Sequence, residues 1–133
     1  MALLRGALAV LAGIGVFTLA LLGMNATGTA ILGAEPEWIN LSTTTRVMWA
    51  IGNTVSMIAG GYVAAWLAPG ARVAHAVIVG TIQTGFTLAA FLTMRDNATP
   101  TWLWVSGMVL TVPAAWLGGR AQGSDGVSSQ RQP

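Results

Sequence analysis

Four long apolar runs constrain this chain more than any other feature. They cover about residues 6–24, 46–67, 73–94 and 102–118, and none carries an acid, a lysine or an arginine inside its apolar stretch. Crossing about 30 Å of hydrocarbon takes about 20 apolar residues at about 1.5 Å each, so each run suffices for one crossing. In lipid the backbone must satisfy its own N–H and C=O groups, which leaves helices and closed barrels. Barrel strands would alternate over about ten residues, and these runs are too long and too continuous for that. The expectation is an all-α integral membrane four-helix bundle over residues 1–120, with a disordered cytoplasmic tail over 121–133.

Composition removes the competing classes. Charged residues make up 8% of the 133 positions and apolar residues 54%, against roughly 25% charged in ordinary soluble domains. So few charges cannot cover the surface of a small water-soluble monomer. The absence of cysteine rules out disulfides, thiolate nucleophiles and zinc–thiolate sites. The pI near 10.6 suggests a nucleic-acid binder. However, the net charge is only +2 and the six basic residues, all Arg, are spread singly. A nucleic-acid surface needs a dense basic patch, so no nucleic-acid partner is expected. Arg without Lys, beside abundant Ala and Gly, associates the chain with a bacterial source.

The punctuation agrees with four spans. Pro69 and Gly70 follow the second run, where a helix should stop. Asn97, Thr99 and Pro100 precede the fourth as cap and first-turn residues, and Ser42, Thr43 and Thr44 offer caps for the second. Trp38, Trp49, Trp102 and Trp104 fall near one membrane face, Trp66 and Trp116 near the other, the depth tryptophan prefers. With both termini inside, the inner side holds Arg5, Arg72, Arg120 and Arg131, the outer side Arg46 and Arg95. The positive-inside bias therefore favours N-in and C-in. The alternative that the first run is a cleaved signal peptide is less favoured, because its core is long and no clean cleavage site follows.

About twenty residues join the first two spans, and Ala34–Ile39 within them could form a short interfacial turn of helix. Asn25-Ala26-Thr27, Asn40-Leu41-Ser42 and Asn97-Ala98-Thr99 match the glycosylation triplet but double as loop and cap chemistry.

An internal likeness suggests two tandem helical hairpins. Ala64-Ala65-Trp66-Leu67 ends the second run and Ala114-Ala115-Trp116-Leu117 the fourth, fifty positions on, with Val55-Ser56 and Val105-Ser106 at the same offset. The second run also carries a ladder of small residues, Gly52, Ser56, Gly60, Ala64 and Ala68, with Gly61 beside it. The fourth has Gly107, Thr111, Ala115 and Gly119. Residues four apart share a helix face, and small residues let helices approach closely where lipid gives little hydrophobic drive. These are the candidate packing residues, with the partner helix in the same chain as the default and another copy as the alternative. Pro113 should kink the fourth helix near Val109.

Chemistry-bearing residues are scarce. All four acids lie in loops or the tail, whereas a proton-coupled carrier usually needs an ionisable group within the membrane. The small multidrug-resistance transporters share this size and layout but depend on a first-helix glutamate, which is missing here. One His cannot supply a metal site, a haem pair or a protease base. No enzyme activity, cofactor or metal is expected. Asn53, Thr54, Ser56, Thr81, Gln83 and Thr84 lie near mid-membrane. Asn53, Gln83 and Thr84 either bond across a helix interface or line a polar cavity. Arg72, His75 and Arg120 form a candidate lipid-headgroup cluster on the inner face.

The run Gly60-Gly61-Tyr62-Val63-Ala64-Ala65, then Ala68-Pro69-Gly70, His75-Ala76 and Gly80, and finally Pro113-Ala114-Ala115-Trp116-Leu117-Gly118-Gly119-Arg120, resembles a pattern in small uncharacterised bacterial four-span inner-membrane proteins. The resemblance covers the second to fourth spans. It implies a multi-pass protein of the bacterial inner membrane and brings no activity with it. The expected role is that of a non-enzymatic membrane protein acting through helix packing, as an accessory or assembly partner or a homo-oligomer. The alternative is a small-solute or lipid transporter with a polar path around Asn53, Gln83 and Thr84.

Overall fold

The computed structural model describes residues 1–32, 41–94 and 99–123. These form four helices and no strand: α1 (Ala2–Leu32), α2 (Thr43–Leu67), α3 (Arg72–Met94) and α4 (Thr101–Gly123). All four are long and apolar enough to cross a membrane, and the chain is an all-helical four-helix bundle. Large apolar side chains point outward from every helix, among them Leu8 and Leu22 on α1, Val55 on α2, Leu92 on α3 and Val109 on α4. In water such a surface would be a liability; against lipid chains it is the surface a spanning bundle needs.

Several helix ends differ from the sequence expectation. α1 continues past Met24 to Leu32, so Asn25, Ala26 and Thr27 are helical rather than loop. Thr27 fits because its hydroxyl donates to the Gly23 carbonyl at 2.8 Å, a back-bond that satisfies a threonine inside a helix. The side-chain carbonyl of Asn25 accepts the indole N–H of Trp49 at 3.1 Å, which ties the extension to α2. At about 1.5 Å per residue the 31 residues of α1 span about 46 Å, well over the hydrocarbon thickness. α2 starts where its caps predict, with the Ser42 hydroxyl accepting from the Thr45 N–H at 3.1 Å. It ends at Leu67 as Ala68 turns extended ahead of Pro69. α4 runs on through Pro113 to Gly123, so residues 121–123 belong to the helix and not to a disordered tail. The rest of the tail, the Ala34–Ile39 turn, and Arg95, Asp96 and Asn97 lie outside the described residues.

The helices assemble as two hairpins joined through their second members. α1 packs on α2, α3 on α4, and α2 against α4 at the centre; α3 also reaches α2 and α1, while α1 and α4 barely touch. That last difference breaks strict two-fold symmetry between the hairpins. The core is built from small residues: Ala64, Ala65, Ala76 and Ala115 are fully buried, and the largest side chains at that depth are Met57 and Val79.

Two adjacent glycine pairs explain how the backbones come so close. Consecutive helical residues point about 100° apart, so each pair addresses two neighbours at once. On α2, a Cβ at Gly60 would lie 2.7 Å from the Gly13 carbonyl oxygen of α1, and one at Gly61 would lie 2.8 Å from the Ala115 Cα of α4. On α4, a Cβ at Gly118 would lie 2.8 Å from the Tyr62 nitrogen of α2, and one at Gly119 2.6 Å from the Ala76 Cβ of α3. No side chain fits at any of the four. Dispersion between backbones and the Cα–H···O contacts that such proximity allows replace the hydrophobic drive that lipid withholds.

Gly60→Leu should therefore cost at least about 2 kcal/mol or prevent folding, because the obstruction is backbone that cannot step aside. Gly85 has open space around its Cβ position, so Gly85→Ala should raise stability by about 0.5–1 kcal/mol through helix propensity alone. Thermal melts of the purified chain in detergent read both; a wild-type melt for Gly60→Leu contradicts the packing account.

Candidate functional site

Both small-residue ladders are covered within the chain. Gly52 lies against the Met24 thioether, Gly60 against Gly13 and Phe17, and a Cβ at Gly13 would lie 2.8 Å from the Ala64 Cβ, so the first ladder faces α1. The hydroxyl of Ser56 on the same face donates to the Gly52 carbonyl at 2.9 Å. Gly61, beside the ladder, serves α4 instead. The second ladder faces α3: Ala115 and the backbone of Thr111 meet Gly80, and Gly119 meets Ala76. The Thr111 hydroxyl turns back to the Gly107 carbonyl. Gly107 departs from its expected role as a packing residue. A Cβ there would meet only the Thr87 Cγ2, at an ordinary 3.8 Å.

The space beside Gly107 is a cavity of about 410 Å³ walled by all four helices. α1 contributes Phe17 and Leu21, α2 Trp49 and Asn53, α3 Gln83, Phe86, Thr87 and Ala90, and α4 Leu103, Trp104 and Gly107, with Thr99 just ahead of α4. No described side chain in this wall carries a charge. Asn53 and Gln83, from opposite hairpins, thus share one cavity. Both are half-buried, and no described residue hydrogen-bonds either carboxamide. The direct Asn53–Gln83 bond that the sequence allowed is not made. Thr84 is not in the wall; its hydroxyl donates to the Gly80 carbonyl of its own helix at 2.9 Å. Thr87, one turn on, lines the cavity in its place, with its hydroxyl donating to the Gln83 carbonyl at 3.0 Å. The Trp104 indole N–H is buried without a partner among the described residues, while the ring packs on Phe91 at 5.9 Å between centroids.

The cavity occupies the half of the bundle toward Ser42 and Thr99. In the other half α1 and α3 meet directly, with a Cβ at Gly13 3.1 Å from Val79 Cγ2 and one at Gly6 2.8 Å from His75 Nε2. Beyond Gly13 they part, and Phe17 with Leu21 on one side and Phe86 with Ala90 on the other flank the gap. Phe86 is 62% exposed and stands at the rim.

At the chain-terminal end, each member of the basic cluster has a contact of its own. Arg72 Nη1 donates to the Gln122 carbonyl at 3.4 Å, fastening the end of α4. The Arg120 guanidinium lies 5.1 Å from the centroid of its own helix's Trp116 ring. His75 leans on Gly6 beside a wide apolar groove formed by α1 and the Pro69–Ala71 turn, with Nδ1 3.1 Å from the Ala71 carbonyl.

Sequence reasoning missed the aromatic part of the wall. Trp49 and Trp104 read as interfacial anchors, yet both reach the cavity. A signal existed: Trp49 and Asn53, Gln83 and Thr87, and Leu103 and Gly107 are pairs four apart, each on one helix face. No family model, curated protein or solved structure matches this chain.

Because neither carboxamide holds a partner among the described residues, replacing Asn53 and Gln83 together with Leu should leave the thermal melt unchanged or slightly raised. Interhelical hydrogen bonds would instead cost about 0.6–2 kcal/mol when removed, and a loss of that size in the double variant contradicts the cavity assignment.

Proposed function

We propose that this chain is a non-enzymatic multi-pass protein of a bacterial cytoplasmic membrane that takes a small solute or lipid into the four-walled cavity, as a carrier or lipid-handling protein. The observation that carries this reading is the pair of carboxamides, Asn53 and Gln83, which no described residue hydrogen-bonds and which face one space of about 410 Å³ whose described lining is uncharged. A few convergent polar groups in a largely apolar pocket of this size are the ordinary make-up of a ligand site. All acids lie outside the four apolar runs and the chain has one His and no Cys, which supports binding rather than catalysis. The resemblance to small bacterial inner-membrane proteins supports the membrane assigned. The Arg distribution supports N-in and C-in, with the cavity in the outer half of the bundle.

An assembly role, as accessory partner or homo-oligomer, is the second reading. The ladders are covered inside the chain, so it would use the apolar face of α1, where Leu4, Leu8, Leu11 and Leu22 are exposed. Native mass spectrometry on protein extracted gently from its own membrane separates the two. A monomer carrying one defined small molecule, absent from Gly107→Leu, is the expected result. A bare complex with another protein or further copies overturns the binding reading in favour of assembly.

Orientation has its own test, helped by the absence of cysteine. In intact cells a membrane-impermeant maleimide should label Thr44→Cys and should reach Gly70→Cys only after permeabilisation. The reverse pattern contradicts N-in and C-in.

A further inference from the structure

We propose that the cavity fills sideways from the bilayer, through a portal between α1 and α3 rimmed by Leu21, Phe86 and Ala90, so that its ligand is an amphiphile dissolved in the membrane and not a solute arriving from water. This rests on the binding reading above and narrows its ligand by the phase it comes from.

The register of the two helices locates the portal. The contacts Gly6·His75 and Gly13·Val79 rise together along α1 and α3, so these helices run in the same direction. His75, Val79 and Phe86 are four and then seven positions apart and share one face of α3. Were the seam to continue, that face would press Phe86 against α1 near Leu21. Val79 is fully buried, yet Phe86 is 62% exposed. Phe86 nevertheless lines the cavity together with Leu21. A side chain that lines an internal space and also reaches the outside of the bundle marks where that space opens. The other sides are closed at this level. α2 is fastened to α1 by the Trp49–Asn25 bond and by Met24 against Gly52. α3 is joined to α4 by the Phe91–Trp104 ring pair and by Thr87 against Gly107. Between α2 and α4, beside Asn53 and Leu103, lies a void of about 10 Å³, too small to pass more than a water molecule.

Depth decides what lies outside the portal. Phe86 precedes the end of α3 at Met94 by eight residues, which is about 12 Å of helix, and Leu21 precedes the end of α1 at Leu32 by eleven. The portal therefore opens below the outer helix ends, beside acyl chains. Its rim offers no hydrogen-bonding side chain. A solute coming from water would shed its hydration there without compensation, whereas an amphiphile in the bilayer needs only to slide between the helices. Inside, its polar part meets Asn53 and Gln83.

The test needs no ligand and uses the full chain, which has no native cysteine, in liposomes. A nitroxide on Gly107→Cys reports from inside the cavity, where a Cβ has room; Thr87→Cys places it in the same wall should the first labelled chain not fold. Electron paramagnetic resonance then reads collisions with oxygen, which concentrates in the bilayer, and with a nickel chelate confined to water. Labels on Val109→Cys, facing lipid, and Thr44→Cys, at the helix end, set the two reference levels. The expected result is an oxygen collision rate near that of Val109→Cys with little response to nickel. Ala90→Trp should narrow the portal and lower the oxygen rate toward that of a packed interior, and Phe86→Ala should raise it. A strong nickel response overturns loading from lipid and leaves the cavity to a water-borne solute. Low rates for both agents overturn the portal, as does an oxygen rate that ignores both α3 variants. An empty monomer in native mass spectrometry overturns the binding reading, and this one with it, whatever the collision rates.

Discussion

Everything in this bundle depends on backbone meeting backbone at Gly60 and Gly61. The two residues are neighbours in sequence, yet one faces the Gly13 carbonyl of α1 and the other the Ala115 backbone of α4. Lipid offers no hydrophobic reward for bringing helices together, so contact area at short range must do it. α2 therefore sits between α1 and α4, and Gly118-Gly119 repeats the device on α4 toward α2 and α3. Three close seams, α1–α2, α2–α4 and α3–α4, built around these four glycines, fix the order of the helices.

The same seams explain the cavity. Gly6, Gly13, Gly60, Gly61, Gly80, Gly118 and Gly119 all make their close approaches in the half of the bundle near the termini. Toward Ser42 and Thr99 the facing residues are Phe17, Leu21, Trp49, Phe86 and Trp104. Bulky side chains cannot follow the interhelical spacing that the glycines set, so the helices part and enclose space. The two carboxamides lie at that transition. The polar residues look into the gap because the small residues closed the other end.

Most of this architecture was legible in the sequence. Uncharged runs of sufficient length dictate spanning helices, and the spacing of four in Gly52, Ser56, Gly60 and Ala64 marks a packing face. The Ser42 cap was readable for the same local reason. The end of α1 was not, because Asn25 and Thr27 suit a loop by composition and are held in the helix by the bond to Trp49 and by threonine back-bonding. Gly107 shows a second limit: its place in a small-residue ladder says which way it faces but not how near the neighbour comes. Asn53 and Gln83 were legible as polar residues at similar depth. Whether they would touch depended on how far the aromatics hold α1, α3 and α4 apart, and no local pattern carries that distance.

The most direct test of the account is a carbon–carbon proximity measurement by solid-state NMR in liposomes, between a labelled Gly13 carbonyl and a labelled Gly60 Cα in the same chain. Full strength on dilution into unlabelled protein is the predicted result, because the seam lies within one copy. A signal that is absent, or that fades on dilution, contradicts the internally closed bundle and the cavity built on it.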